Sequence, residues 1–138
     1  MSLTVEEWSQ IETLVGDVVN GISSRDALIY QIKRLRLQYG ELPILLSTEA
    51  DFIDPIEPRL SLYKRAVELS QNPLDVSCLT QSAESLVEIY IEELSDYDNG
   101  LIWLTKLQEF VSSYGSDRIL NSLSELEAKL KRLKIESA

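Results

Sequence analysis

The chain has 138 residues, with 23 acidic and 13 basic side chains and a formal net charge of −10. Its 44% hydrophobic content, with only five glycines and four prolines, is typical of a folded protein and excludes a disordered acidic tail. A chain of this length is expected to form a single domain over residues 1–138. The excess of acid disfavours nucleic acid and anionic membranes as partners and favours a basic protein.

Several residue types that would indicate chemistry are missing. The chain contains no histidine, which removes imidazole bases, the usual nucleophilic triads and most zinc sites. We therefore expect no catalytic residue, no cofactor and no metal ligand. Cys78 is the only cysteine, so an internal disulfide is excluded. No apolar run exceeds four residues, and Glu6 and Glu7 do not suit a signal peptide, so the sequence predicts a cytoplasmic protein without a membrane span.

The first two helices are marked by their caps. Thr4 and Glu7 form the pattern of a capping box, and Asn20-Gly21 is a typical helix end. The apolar stripe between them is Trp8, Ile11, Val15, Val18 and Val19. A second helix is predicted from about Arg25 to Tyr39, ending at Gly40. Its buried stripe is Leu28, Ile32, Leu35 and Tyr39, beside a basic cluster of Lys33, Arg34 and Arg36.

The third and fourth helices lie in a proline-rich region. Pro43 suits a first helical turn, which predicts a short helix from about Pro43 to Ile53. Asp54, followed by Pro55, is typical of a cap before the fourth helix, which runs to about Gln71 and is stopped by Asn72-Pro73. We expect it to bury Leu60, Tyr63, Ala66 and Val67.

The stretch from Leu79 to Tyr114 predicts a helical hairpin. In its first helix one face carries Leu79, Ala83, Leu86, Val87, Tyr90 and Leu94. The opposite face carries Glu84, Glu88 and Glu92, which we call the acidic ridge. After a turn over residues 95–100, apolar residues cover half of the second helix, so we expect that helix to be wedged into the core. These residues are Leu101, Trp103, Leu104, Leu107, Phe110, Val111 and Tyr114.

The last helix is predicted to start at Ser116 or Asp117, after Gly115. Its stripe has heptad spacing over about two heptads, which favours packing on its own domain over a coiled coil. The stripe is Ile119, Leu123, Leu126, Leu130 and Leu133. The basic cluster at its end, Lys129, Lys131, Arg132 and Lys134, is explained by the helix dipole.

Helix starts near residues 4, 24, 43, 55, 75, 99 and 117 predict an all-α fold of about seven helices. We expect three antiparallel hairpins plus a C-terminal closing helix, as a short solenoid or a bundle. We expect a monomer or a weak dimer.

Two of these hairpins resemble tetratricopeptide repeats, over about residues 43–113. Ala83, Leu86, Val87 and Tyr90 match the small, leucine, small and tyrosine positions of the first repeat helix. Tyr63 and the run Ala66 to Leu69 resemble the end of the second repeat helix. The resemblance implies stacked helical pairs that bind a protein or peptide, and it implies no catalysis.

The candidate site is acidic. Residues 66–105 contain eight acidic and no basic side chains. Like charges at i, i+4 spacing on the acidic ridge cost a few tenths of a kcal/mol per pair. The ridge is either a solvated face or, together with Asp96 and Asp98, a partner-binding surface. A calcium loop opening at Asp96 is excluded, because glycine stands fifth instead of sixth and Leu107 takes the place of the bidentate glutamate.

These observations leave three hypotheses. The first is a non-enzymatic protein that docks a basic protein partner, in its most concrete form an immunity or antitoxin-type inhibitor of a toxin or nuclease domain. The alternative is a tetratricopeptide-like adaptor or scaffold that binds a peptide in a groove between hairpins. An enzyme is the third, and it requires carboxylates or tyrosines to do all the chemistry.

Overall fold

Helices account for most of the chain. The computed structural model describes residues 2–114 and 117–137, together with their side chains except those of 117–119 and 137. Within these ranges the helices are α1 (Val5–Val19), α2 (Arg25–Tyr39), α3 (Pro43–Asp51), α4 (Ile56–Leu69), α5 (Val76–Glu88), α6 (Tyr97–Tyr114) and α7 (Asp117–Ser137), with a π turn at Ile89–Glu93. The only β-type pairing among the described residues is an isolated bridge between Gln71 and Leu74. The all-α prediction is confirmed, and each α-helix begins within two residues of its predicted start.

Local signals set most helix ends. Both hydrogen bonds of the predicted capping box form, from Glu7 N–H to Thr4 Oγ1 (3.1 Å) and from Thr4 N–H to Glu7 Oε1 (3.0 Å). Gly21 has a φ of +75°, as expected for a glycine that ends a helix. The predicted cap at Asp54 is wrong. Its carboxylate binds both terminal nitrogens of Arg25 at 2.9 and 3.0 Å, and Pro55 precedes α4 without a side-chain cap.

Consecutive helices pack against each other. α1 contacts α2, α3 contacts α4, α5 contacts α6, and α7 closes on α6. This packing is consistent with the predicted hairpins and closing helix. α5 contacts α4 and α6, its neighbours in the chain, and it also contacts α3 and α7.

Two large clusters of buried side chains form the core, and α3 contributes to both. The first cluster contains Ile11, Leu28, Ile32 and Leu35 from α1 and α2, with Leu45 from α3. The second gathers residues of α4 to α7 and takes in Ala50 of α3. A smaller group joins Leu46 of α3 to Ala66 and Cys78.

Some predicted core positions differ from the structure. Val19, the last residue of α1, is 71% exposed. In α7 the predicted Leu123, Leu126 and Leu130 are buried, and Leu133 is partly buried. Gly115 and Ser116 lie outside the described residues, as do the side chains of Asp117 and Ile119.

Candidate functional site: the acidic ridge

The acidic ridge belongs to the most enclosed helix of the chain. Neighbours α3, α4, α6 and α7 all contact α5, and its buried residues are Cys78, Leu79, Thr80, Ser82, Ala83, Leu86 and Val87. The helix predicted to be wedged, α6, does lie between α5 and α7 and buries Leu104, Leu107 and Val111, but the predicted Leu101 and Tyr114 are 44% and 48% exposed. α5 is enclosed by four helices because the side chains of Cys78, Thr80 and Ser82 are small. These small side chains let the neighbouring helices approach α5 closely, although this face of α5 is partly polar.

Burying these polar residues leaves few unsatisfied groups. The Thr80 hydroxyl donates to the carbonyl of Val76 at 2.8 Å, and Cys78 Sγ lies 3.8 Å from Ser82 Oγ. A hydroxyl that donates to a carbonyl of the preceding turn is not left unsatisfied in the core. Only a narrow part of α5 remains at the surface, and the ridge carboxylates of Glu84 and Glu88 lie there.

A π turn places the third ridge residue. After Glu88 the helix widens, so that the N–H of Leu94 donates to the carbonyl of Ile89 at 3.1 Å, five residues back. Ile89, Tyr90 and Ile91 on this turn are all buried. The prediction that Leu94 is buried is wrong, since it is 38% exposed. Glu92 lies on this π turn instead of on a continuous α-helix.

The π turn lies in close contact with the first turn of α6. Gly100 is buried, and a Cβ atom at this position would lie 2.9 Å from Cγ1 of Ile91. Glycine therefore lets the first turn of α6 lie directly against the residues that orient Glu92.

The acidic ridge faces a cation from α7. Lys129 Nζ forms an ion pair with Glu92, and its charge also acts on Glu88. Desolvation raises the pKa of Glu88, Glu84 raises it further, and Lys129 opposes both. The helix dipole alone therefore does not account for the basic cluster of α7. Lys129 thus places a positive charge beside two of the ridge carboxylates, those of Glu88 and Glu92.

Asp96 and Asp98, which the sequence suggests as part of the partner-binding surface, differ in their surroundings. The Asp96 carboxylate accepts from the backbone N–H of Asn99 at 3.2 Å and from its side-chain amide at 2.7 Å. These bonds hold the pKa of Asp96 below its usual range. The cap of α6 is thus Asp96. Asp98 is an exposed residue in the first turn of α6.

A second polar group, which the sequence analysis missed, lies between α3, α4 and the π turn. Tyr63 donates its hydroxyl to the Asp51 carboxylate, and Arg59 Nη1 binds Glu93 at 2.8 Å. Desolvation raises the pKa of both Asp51 and Tyr63. Each of these groups is bonded to another group of the protein, so the arrangement holds helices together. The sequence signal for this group is Tyr63 on the buried stripe of α4, because the hydroxyl of a buried tyrosine needs a hydrogen-bond partner.

No set of three or more possible metal ligands comes together among the residues that the structure describes. None of the helices in the described ranges is both long and apolar enough to cross a membrane. Comparison of the chain with protein-family models, curated proteins and solved structures gives no significant match.

Proposed function

We propose that this chain is a non-enzymatic binding protein that uses its acidic ridge to dock a basic protein. The observation that supports this most is the position of the ridge: Glu84, Glu88 and Glu92 lie outside the buried residues of α5 and of the π turn, and Glu88 and Glu92 are exposed. Glu84 adds to the desolvation that raises the pKa of Glu88, and Lys129 opposes both. A cationic side chain of a partner, placed beside Glu88, relieves the repulsion between the carboxylates of Glu84 and Glu88 that remains in the folded chain. Glu84 and Glu88 lie on a helix held by four neighbours, and Glu92 lies on the π turn that follows it, so little backbone entropy is lost on binding.

The charges also suggest how such a partner is captured. A net charge of −10 attracts a cationic protein over a distance and raises its association rate. At close range an arginine or lysine of the partner competes with Lys129 for Glu92. A partner of this kind is a toxin or nuclease domain with a basic surface, and the chain then acts as its immunity or antitoxin-type inhibitor.

A double substitution tests this proposal. We expect E84Q/E88Q to keep the fold, because glutamine preserves helix propensity and removes like-charge repulsion. The partner is recovered from a lysate of the source organism with the wild-type protein, and its association rate is then measured at low and high salt. The double variant should associate more slowly and with a weaker salt dependence.

A matched control separates a local site from general charge. E12Q/E109Q removes the same charge from exposed positions of α1 and α6 that form no ion pair in the described part of the chain. It should behave as the wild type does. Equal rates and equal salt responses for the wild type and E84Q/E88Q would contradict the proposal.

The packing of α3, α5 and α7 favours the second candidate, a tetratricopeptide-like adaptor. α5 contacts both α3 and α7, as expected when hairpins stack in register along a solenoid. In that case the partner lies between hairpins. Hydrogen exchange with the recovered partner bound distinguishes the two, since an adaptor predicts protection along α3, α5 and α7 together, whereas ridge docking predicts protection centred on residues 84–93.

A further inference from the structure

The outer face of α2 combines exposed apolar and basic side chains. Leu28, Ile32 and Leu35 form the buried stripe of this helix. Tyr30, Lys33, Arg34 and Leu37 follow one another at i, i+3, i+4 and i+7, so they share one face, which we call the α2 face. Seven residues of helix place Tyr30 and Leu37 about 10 Å apart along the axis, with the two cations between them.

The apolar ends of the α2 face are unusually open. Tyr30 is 71% exposed and Leu37 is 90% exposed. Single exposed apolar residues are common on protein surfaces and indicate nothing alone. Here two of them flank a pair of charges at a spacing that one short helix or extended segment can reach.

The two cations of the α2 face are open to a partner. Several cations in the described part of the chain bind a carboxylate, in the pairs Arg25–Asp54, Arg36–Glu49, Arg59–Glu93, Arg65–Glu41 and Lys129–Glu92. Within that part, Lys33 forms no ion pair, and Arg34 donates only to the amide oxygen of Gln31 at 3.2 Å. No acidic residue of α2 follows Asp26. The α2 face thus presents two adjacent cations that form no ion pair with any described residue, on a chain with 23 acidic side chains.

The neighbouring helix does not supply the missing carboxylate. Glu7 of α1 is close enough for Arg34 to act on its charge. Its carboxylate is already occupied by the hydroxyl of Tyr39 and the backbone N–H of Thr4, and these bonds hold the pKa of Glu7 low.

We propose that the α2 face is a docking surface for an acidic amphipathic segment of another protein. Its carboxylates would bind Lys33 and Arg34, with the planar guanidinium taking one carboxylate in two hydrogen bonds. Its apolar side chains would cover Tyr30 and Leu37. Two cations are too few to hold a phosphate backbone or an anionic membrane against a net charge of −10.

Fluorescence anisotropy with a defined probe tests the proposal. The probe is a short labelled helical peptide that carries two glutamates between two leucines, and its counterpart carries lysine in place of glutamate. The wild-type protein should bind the glutamate probe more tightly than the lysine probe. K33E/R34E should weaken binding of the glutamate probe by about tenfold or more, since it converts attraction into repulsion.

Two further variants locate the effect. K131E/R132E makes the same change of charge on exposed positions of α7 and should bind the glutamate probe as the wild type does. Y30S/L37S should weaken binding several-fold and leave its salt dependence unchanged, because it removes only apolar contact. All positions are solvent-exposed, and circular dichroism verifies that each variant is folded.

Three results would overturn the assignment. One is equal affinity of the wild type for the two probes, and another is an equal loss of affinity in K33E/R34E and K131E/R132E. The third is concentration-dependent self-association in sedimentation equilibrium that K33E/R34E abolishes, which would assign the α2 face to a second copy of this chain. E84Q/E88Q should bind the glutamate probe normally, so failure at the acidic ridge and failure at the α2 face are distinguishable.

Discussion

Gly100→Ala should destabilise the protein even though alanine is the better helix former. Exchanging glycine for alanine inside a helix contributes up to about 1 kcal/mol of stability. The new Cβ, however, would lie 2.9 Å from Ile91 Cγ1 and 3.6 Å from its Cδ1, and Ile91 is only 2% exposed. Overpacking of this kind costs about 1–3 kcal/mol. We expect a net loss of about 1 kcal/mol in urea denaturation, or about 4 °C in melting temperature.

Gly16→Ala provides the matched control. Gly16 lies inside α1, and a Cβ there meets nothing within 4 Å, so the same substitution should stabilise by about 0.5–1 kcal/mol. In an Ile91→Ala background, Gly100→Ala should become stabilising, because the methyl group then enters vacated space. If Gly100→Ala stabilises the wild type as much as Gly16→Ala does, the contact between α6 and the π turn is not as tight as described, and the reasoning fails.

Two predictions concern charged groups. Glu88→Gln should stabilise the protein by about 0.3 kcal/mol at neutral pH. Because the pKa of Glu88 is raised in the folded state, its ionisation opposes folding above that pKa, so the gain in urea denaturation should vanish as the pH falls and the carboxyl becomes protonated. Arg36→Met should cost about 2–4 kcal/mol, since it leaves the Glu49 carboxylate, whose side chain is 8% exposed, without its partner at 3.0 Å. Arg65→Met breaks pairs with the exposed Glu41 and Glu68 and should cost less than about 1 kcal/mol by the same measurement; equal losses would refute the distinction.

The features that the sequence predicted correctly depend on residues close together in the chain. The capping box of Thr4 and Glu7 and the glycine after α1 act within one helical turn, so their residue types are sufficient to place a helix end. The same holds for the apolar stripes, which fix the all-α class and the approximate helix starts.

The features that were predicted wrongly depend on which helices meet. Asp54 has the pattern of a cap, but Arg25 approaches from α2 and takes its carboxylate. α6 packs closely on the π turn at Gly100, and no local rule predicts that contact. At the candidate site the sequence predicted which carboxylates lie outside the buried stripe of α5. It did not predict that Lys129 lies beside them, because this contact depends on how α7 crosses α5.

The position of α3 in both large clusters affects how the chain can be divided. This helix has nine residues, too few for a stable helix in water without tertiary contacts. Leu45 depends on α1 and α2 for its cover, and Ala50 packs within the cluster formed with α4 to α7. A cut on either side of α3 therefore leaves one apolar surface of that helix in water. The two parts of the core share one short helix, and that sharing makes their unfolding cooperative.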